Sequence, residues 1–567
     1  MHRLVAMVGA LSALGATPAL AAGAACPAAD FAPQAQAALQ AFTQAQVFSG
    51  AVLVAVDGKP VLRQAVGLAN REWNVANTPD TKFRLGSITK EFTATAILQL
   101  AEQGKLSIDD PVSKYYPEAP PSWSKVTLKH LLTHTSGIPT YTGLAGFGPR
   151  ESRLRQTPSD LIKLIRDRPL DFEPGSRYAY DNTGYVLLGY VVEKVSGQTY
   201  ADYLQAHVFG PLGMRDTGYD SSEKIIARRA AGYSPGPDGW RNAEYTDMST
   251  PFAAGALYST VDDMLVWDQA LYGDRMLKPA SRTAMFTDYG NKYGFGWVVD
   301  RKWDRDRIWH NGGINGFVTS FQRYPKDRVT VVALSNFQGA LPDKLASDLA
   351  GLCLGAQPYP KEVALPAAAL DRYVGAYQLG SSVMAVERDG PHLTTRLDRQ
   401  PLAVPIYPRS ERGFFGKLVE AQLDFQVGDQ GQVTGLVLHQ GGRDTPFQRV
   451  DAGAIKRSQD ALAKRVADQK PFPDSEARLR GAIEDMRRGQ PDYGRMSPGL
   501  AQATRQQLSG IQQTLGQLGA LQALAFKGVG PGGADIYEAS FANGKIEFRM
   551  ALGPDGVIEA LSMRAMS

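Results

Sequence analysis

Cysteine is almost missing from this chain: Cys26 and Cys353 are the two it has in 567 residues. That excludes a disulfide scaffold, although an exported protein can keep one bridge. An excess of one charge is missing too. The formal net charge is +4 and the basic residues are dispersed, so no nucleic-acid partner is expected. Beyond the N-terminus no run approaches about 18 apolar residues, so the mature chain is not expected to span a membrane. No Gly-x-Ser-x-Gly elbow occurs, which argues against an α/β-hydrolase. His130 and His134 have the spacing of a zinc pair, but Leu131 stands where His-Glu-x-x-His has its glutamate. No metal or other cofactor is expected. Neither an internal repeat nor a low-complexity tract is evident.

What is present begins with the first twenty-one residues. Arg3 supplies a positive start, Leu4 to Leu14 is almost wholly apolar, and Thr17 to Ala21 ends in a small-x-small pattern. This reads as a secretory signal peptide, residues 1–21, cut after Ala21. Its removal takes Arg3 alone among charged groups and leaves +3. The expected location is periplasmic or secreted. Cys26 could suggest a lipid-modified N-terminus, but Gly23 sits where a lipoprotein signal usually has leucine.

The hydrophobic share of 43% and charged share of 21% are ordinary for a globular protein, and the length suggests three to four domains. Gln34 to Phe48 has helical character. Gly50 to Val56 reads as a buried strand, with Asp57-Gly58 turning into Pro60-Val61-Leu62. A helix is predicted from Ser87 to about Gln103, closed by Gly104. Strands return at Gly294 to Val299, Phe317 to Tyr324 and Val329 to Leu334, before a helix at Asp343 to Leu354. Strands at both ends with helices between predict one antiparallel sheet with a helical insert, an α+β fold over residues 22–355. Glycine and prolines between 355 and 366 mark a linker. Residues 367–450 read as a small all-β sandwich or barrel, and 451–473 as a polar linker. Residues 474–567 read as a small α+β domain, two helices followed by strands. Gly528 to Gly533 is glycine-rich but precedes no helix, so it reads as a loop between strands.

Three short stretches could carry chemistry. In Phe83-Arg84-Leu85-Gly86-Ser87-Ile88-Thr89-Lys90, Ser87 opens a helix with Lys90 three residues on, on the same face. A serine hydroxyl needs a base to become a nucleophile, and a desolvated lysine can be one. The helix start adds free N–H groups for a developing oxyanion. Tyr180 and Asn182 form a Tyr-x-Asn before an apolar helix, a phenol and an amide able to share proton transfer and substrate positioning. Trp309-His310-Asn311-Gly312-Gly313 enters a strand that could lie along a peptide-like substrate and lend a backbone N–H. Each alone is weak.

Taken in order, the three resemble the serine β-lactamase and penicillin-binding protein superfamily, in the branch of class C β-lactamases, family VIII esterases, D-aminopeptidases and DD-carboxypeptidases. His130-Leu131-Leu132-Thr133-His134-Thr135-Ser136-Gly137-Ile138, Gly189-Tyr190 and Ala254 to Met264 match as well. The resemblance covers about residues 30 to 355 and implies that fold. It makes Ser87 the acylated nucleophile, Lys90 its lysine, Tyr180 the base and then acid, and Asn182 the substrate-positioning amide. The N–H groups of Ser87 and Gly313 would form the oxyanion hole. His310, Asn311 and Gly312 fall on the Lys-Thr-Gly triplet of the lactamases. There the triplet helps hold the antibiotic's carboxylate, and an imidazole is mostly neutral above its usual pKa of about 6.5. Weak penicillinase activity is therefore expected. In this fold the first and last helices of the catalytic domain pack side by side, which makes a Cys26–Cys353 bridge plausible.

Leu370 to Tyr377 is similar to the start of lipocalin-like β domains attached to D-aminopeptidase-type hydrolases, which can lean over the cleft. The function implied is that of an exported serine hydrolase acting on a small-molecule or peptide substrate, an ester or D-amino-acid amide, through a Ser87 acyl-enzyme. β-Lactamase or DD-carboxypeptidase activity, and a catalytically silent peptidoglycan-peptide binder, are the alternatives. Oligomeric state and the roles of the C-terminal domains stay open.

Overall fold

The computed structural model describes Cys26 and residues 28–144, 147–236, 239–380, 382–397, 403–553 and 556–565. The expected signal peptide lies outside these residues. Helix Ala28–Gln44 (α1) leads into strand Gly50–Val56 (β1), whose unbroken run Gly-Ala-Val-Leu-Val-Ala-Val is buried almost throughout. A strand this apolar needs cover on both faces. Alternation supplies it: Ala51, Leu53 and Ala55 enter one core, Val52 and Val54 another.

Lys59–Val66 (β2) follows, and the chain returns much later with Val298–Lys302 (β3), Arg305–Ile314 (β4), Phe317–Tyr324 (β5) and Val329–Ser335 (β6). The six strands lie in the order β3-β4-β5-β6-β1-β2, antiparallel throughout. The two ends of the domain meet where β1 pairs with β6, Gly50 opposite Ser335 and Val56 opposite Val329. Over the face of Leu53 lie helices Thr89–Glu102 (α2) and Asn182–Ser196 (α3), in the core that also holds Ile88, Phe92 and Tyr185. Over the face of Val52 lie α1 and Pro342–Cys353 (α4), through Phe31, Leu39, Phe42, Leu345 and Leu349. Full burial of each such side chain contributes ~1.5–3 kcal/mol. Cys26, just before α1, is joined to Cys353 at the end of α4 by a disulfide.

Two small domains follow. Eight strands from Gly375–Leu379 to Arg443–Val450 close into a barrel, the last pairing with the first. Tyr373, Tyr377, Phe414, Phe425 and Phe447 are among the side chains that fill it. The barrel meets the catalytic domain on the α1/α4 side: Leu418 joins that core, Tyr407 and Phe415 pack on Ala41, and Lys302 pairs with Glu420. The resemblance allowed such a domain to lean over the cleft; these contacts lie across the sheet from Ser87. In the last domain, helices Ser475–Arg488 and Pro498–Leu518 pack on a four-stranded antiparallel sheet through Leu479, Ile483 and Leu515.

Two local readings change. Residues 451–473 read as a linker, yet Gly453–Asp468 is helical. It has little apolar surface to bury, and Lys456–Asp460 and Lys464–Asp468 pair across single turns. The strand expected at Gly294 begins at Val298. The residues before it form a turn in which Gly296 (φ +80°) sits on the Lys90 carbonyl, where a side chain would collide.

Candidate active site

Ser87 lies in a single 3₁₀ turn, Gly86–Ile88, that runs straight into α2. Lys90 therefore falls in the first turn of α2, fully buried beneath the serine. Its Nζ is 3.1 Å from Ser87 Oγ, 3.0 Å from Asn182 Oδ1 and 2.8 Å from the Ala254 carbonyl oxygen. These three partners match the three directions an ammonium can donate. The Tyr180 hydroxyl approaches from the other side and donates to Ser87 Oγ at 2.7 Å. Asp181 caps α3 by accepting from the N–H groups of Thr183 and Gly184, so Asn182 opens the helix. The amide of Asn182 donates to Thr142 Oγ1 while its oxygen faces Lys90. The first turn of α2 and a loop distant in sequence thus converge on one oxygen atom.

Burial decides the charge states. Desolvation lowers Lys90 to about 7; the nearby Asp181 carboxyl opposes this only where ionised, and burial raises it to about 8. A large fraction is then the free amine at neutral pH, able to accept the Ser87 proton. Tyr180 is 38% exposed as a residue, yet desolvation of its hydroxyl raises the pKa. Tyr180 is a neutral phenol, a proton donor. The geometry suits Lys90 as acceptor and Tyr180 as donor on the same hydroxyl.

The third stretch lies on β4, whose backbone presses against the serine turn. A Cβ on Gly312 would overlap the Leu85 carbonyl oxygen, and one on Gly86 would come within 2.8 Å of Gly313 N. Glycine at 312 is what allows this approach. Gly313 is exposed, with open space beside it, next to the Ser87 turn.

Two residues expected to hold substrate are placed otherwise. Successive side chains on a strand face opposite ways. Asn311 is turned from the serine and donates to Asp343 Oδ2 at 2.7 Å. His310 is 2% exposed, and both its ring nitrogens are occupied within the protein. Burial, with Lys90 nearby, lowers its pKa to about 3, so it is neutral. Neither residue offers a cation to a substrate.

Three side chains at the site escaped sequence reasoning in these roles. His134, set aside as half of a zinc pair, is buried and accepts from Asp181 N through Nδ1. His130 instead caps its own helix Leu128–Leu132 with Thr127. Tyr293 lies between His134 and His310. Asp181 was passed over between two more conspicuous neighbours, although an Asp before an apolar helix is a capping signal.

A beta-lactamase family model matches residues 34–354, more than half of the chain. The chain belongs to the beta-lactamase family. Within this family it is 30% identical over 428 residues to penicillin-binding protein 4* of Bacillus subtilis, covering 70% of this chain and 94% of that one. Among solved structures, the octameric penicillin-binding protein homologue from Pyrococcus abyssi is 26% identical with a TM-score of 0.55, over 73% of this chain and 99% of that one. D-amino acid amidase from Ochrobactrum anthropi SV3, in complex with L-phenylalanine amide, is 26% identical with a TM-score of 0.50, over 54% and 91%. Residues 359–449, beyond the beta-lactamase match, fit a domain of unknown function (DUF3471). The beta-lactamase fold and its neighbours make this chain a serine hydrolase. No helix among the described residues is long and apolar enough to cross a membrane.

Proposed function

We propose that this protein is an exported hydrolase that cleaves an ester or a D-amino-acid amide or peptide bond through an acyl-enzyme on Ser87. The carrying observation is the convergence of Lys90 Nζ and Tyr180 OH on Ser87 Oγ, at 3.1 and 2.7 Å. In acylation the Ser87 proton passes to the free amine of Lys90 as Oγ bonds to the substrate carbonyl carbon. The oxyanion is received by the N–H groups of Ser87 and Gly313. Tyr180 donates a proton to the departing oxygen or nitrogen and is reprotonated from Lys90. Asn182 holds Lys90 and borders the substrate. Water then repeats the sequence on the ester carbonyl and frees Ser87.

The neutral His310 and the averted Asn311 favour substrates without a carboxylate at the leaving group. The D-amino acid amidase relative agrees with that choice. The N-terminal signal pattern and the penicillin-binding protein relatives support export.

A fluorophosphonate probe should label the wild type and not Ser87→Ala. Equal labelling of both would reject the nucleophile. A panel of p-nitrophenyl esters, D-alanyl amides, D-alanyl-D-alanine peptides and nitrocefin should show turnover of the first two groups. Preference for nitrocefin or the carboxylated peptide would favour a lactamase or carboxypeptidase, and no turnover at all a peptidoglycan-peptide binder.

A further inference from the structure

Behind the reacting groups runs a chain of four hydrogen bonds, from the loop that carries Tyr180 and Asn182 to the strand that carries Gly312 and Gly313. The Asp181 N–H meets His134 Nδ1 at 3.1 Å. His134 Nε2 is 3.2 Å from the Tyr293 oxygen, which is 2.9 Å from His310 Nε2. His310 Nδ1 is 2.6 Å from the Asn311 carbonyl oxygen. The two ends settle every proton. A backbone N–H can only donate, so His134 Nδ1 accepts and its Nε2 carries the hydrogen. A carbonyl can only accept, so His310 carries its hydrogen on Nδ1 and its Nε2 is the acceptor. Tyr293 receives from His134 and donates to His310. Both imidazoles are neutral, each in one tautomer, and the polarity runs one way along the chain.

His134, Tyr293 and His310 are each buried, at 1, 3 and 2% exposure. The rings pack as a wall beside the nucleophile: His134 lies 4.4 Å from the Tyr180 ring and 4.8 Å from that of Tyr293, and His310 lies 6.5 Å from Tyr180. Around this wall stand Lys90 from α2, Asp181 and Tyr185 at the start of α3, and Tyr178 and Tyr180 from the loop before it.

We propose that Tyr293 and His134 are positioning residues for acyl transfer, tying the Tyr180–Asn182 loop to the Gly312–Gly313 strand across Ser87. The proposal rests on the acyl-enzyme reading above and deepens it. The proton donor and the oxyanion donors sit on separate segments, and a misplacement of about 1 Å can cost on the order of 100-fold in rate. The tie keeps their separation at the value acyl transfer requires. Because it acts on groups used in the transition state, its loss falls on kcat more than on KM.

The test uses the full chain with Tyr293→Phe, His134→Asn and the double variant, on a p-nitrophenyl ester that the wild type turns over. Phe keeps the ring and removes the one hydroxyl. Asn keeps an acceptor for Asp181 N–H and breaks the link to Tyr293. Each single variant should lose roughly 10- to 100-fold in kcat with KM within about threefold, and the double variant should lose no more than the worse single one. Unchanged kcat in either folded single variant overturns the tie, as do losses that multiply in the double variant. Should Tyr293→Phe not fold, the split between kcat and KM in His134→Asn decides alone. Fluorophosphonate labelling separates the two levels. A wild type that is not labelled at Ser87 overturns the acyl-enzyme reading and this proposal with it. A labelled wild type with unaffected variants overturns the tie alone.

Discussion

Tyr180 donates to the oxygen of Ser87 from a hydroxyl that burial keeps protonated. The phenol supplies no binding surface that phenylalanine would not, so its contribution is confined to the proton. Tyr180→Phe should lower kcat by roughly 10²- to 10⁴-fold with KM little changed, the range for loss of a general acid. Steady-state kinetics on an ester and on an amide check this. The amide should suffer more, because its nitrogen must be protonated to leave. Equal, small losses on both would assign the proton to another donor.

Lys90 sets the lower edge of the pH range. In the proposed mechanism the free amine is the form that accepts the Ser87 proton, and burial lowers the pKa of Lys90 to about 7. Activity should therefore rise as pH increases through about 7, as an acid limb in kcat/KM. Burial raises the Asp181 carboxyl to about 8, so through this limb it is mostly the neutral acid and does little to hold Lys90 as the ammonium. Asp181→Asn retains a side chain that caps α3 well and, replacing a group that is mostly neutral at this pH, should leave the limb near 7. No acid limb near 7 in the wild type would contradict Lys90 as the titrating base, and a limb that falls by a unit or more in Asp181→Asn would show that Asp181 is ionised beside it.

The parts of this molecule that were legible in the sequence were those with short-range signatures. Gly50 to Val56 announced a buried strand, and the apolar run after Tyr180-x-Asn182 announced α3. Ser87, Lys90, Tyr180 and Asn182 came from motifs whose order matched a family. What stayed hidden depended on juxtaposition. His134 had a visible spacing to His130, but its partner Tyr293 is 159 positions away and joins it through a turn that read as strand. The orientation of Asn311 follows from strand alternation only once the face carrying Ser87 is known. The helix at Gly453–Asp468 carries only a thin apolar stripe, Ile455, Leu462 and Val466, in a polar stretch that read as a linker.

Asn311 offers a clean test of that orientation. Its amide reaches Asp343 on the α4 side, away from the cleft. Asn311→Ala should leave kcat/KM within about threefold and lower stability by about 1.5–3 kcal/mol, the usual worth of a hydrogen bond to a charged group. Ester kinetics and thermal denaturation of the same preparation measure both. A hundredfold loss of activity in a stable variant would return Asn311 to the substrate side.

The bond between Cys26 and Cys353 separates stability from catalysis. It closes the ends of the catalytic domain across 327 positions, on the α1/α4 face, with the whole sheet between it and Ser87. In the chain-entropy picture a bridge over so long a loop contributes on the order of 5–6 kcal/mol, through the unfolded state rather than through the site. Titration of the denatured, unreduced protein should find no free thiol. Replacing both cysteines with alanine should lower the thermal midpoint while kcat and KM at 25 °C stay within about twofold. Two titratable thiols would show that the bridge does not form. A fall in kcat at unchanged stability would mean that α1 and α4 reach the nucleophile through the sheet, and the separation of roles argued from their opposite faces would fail.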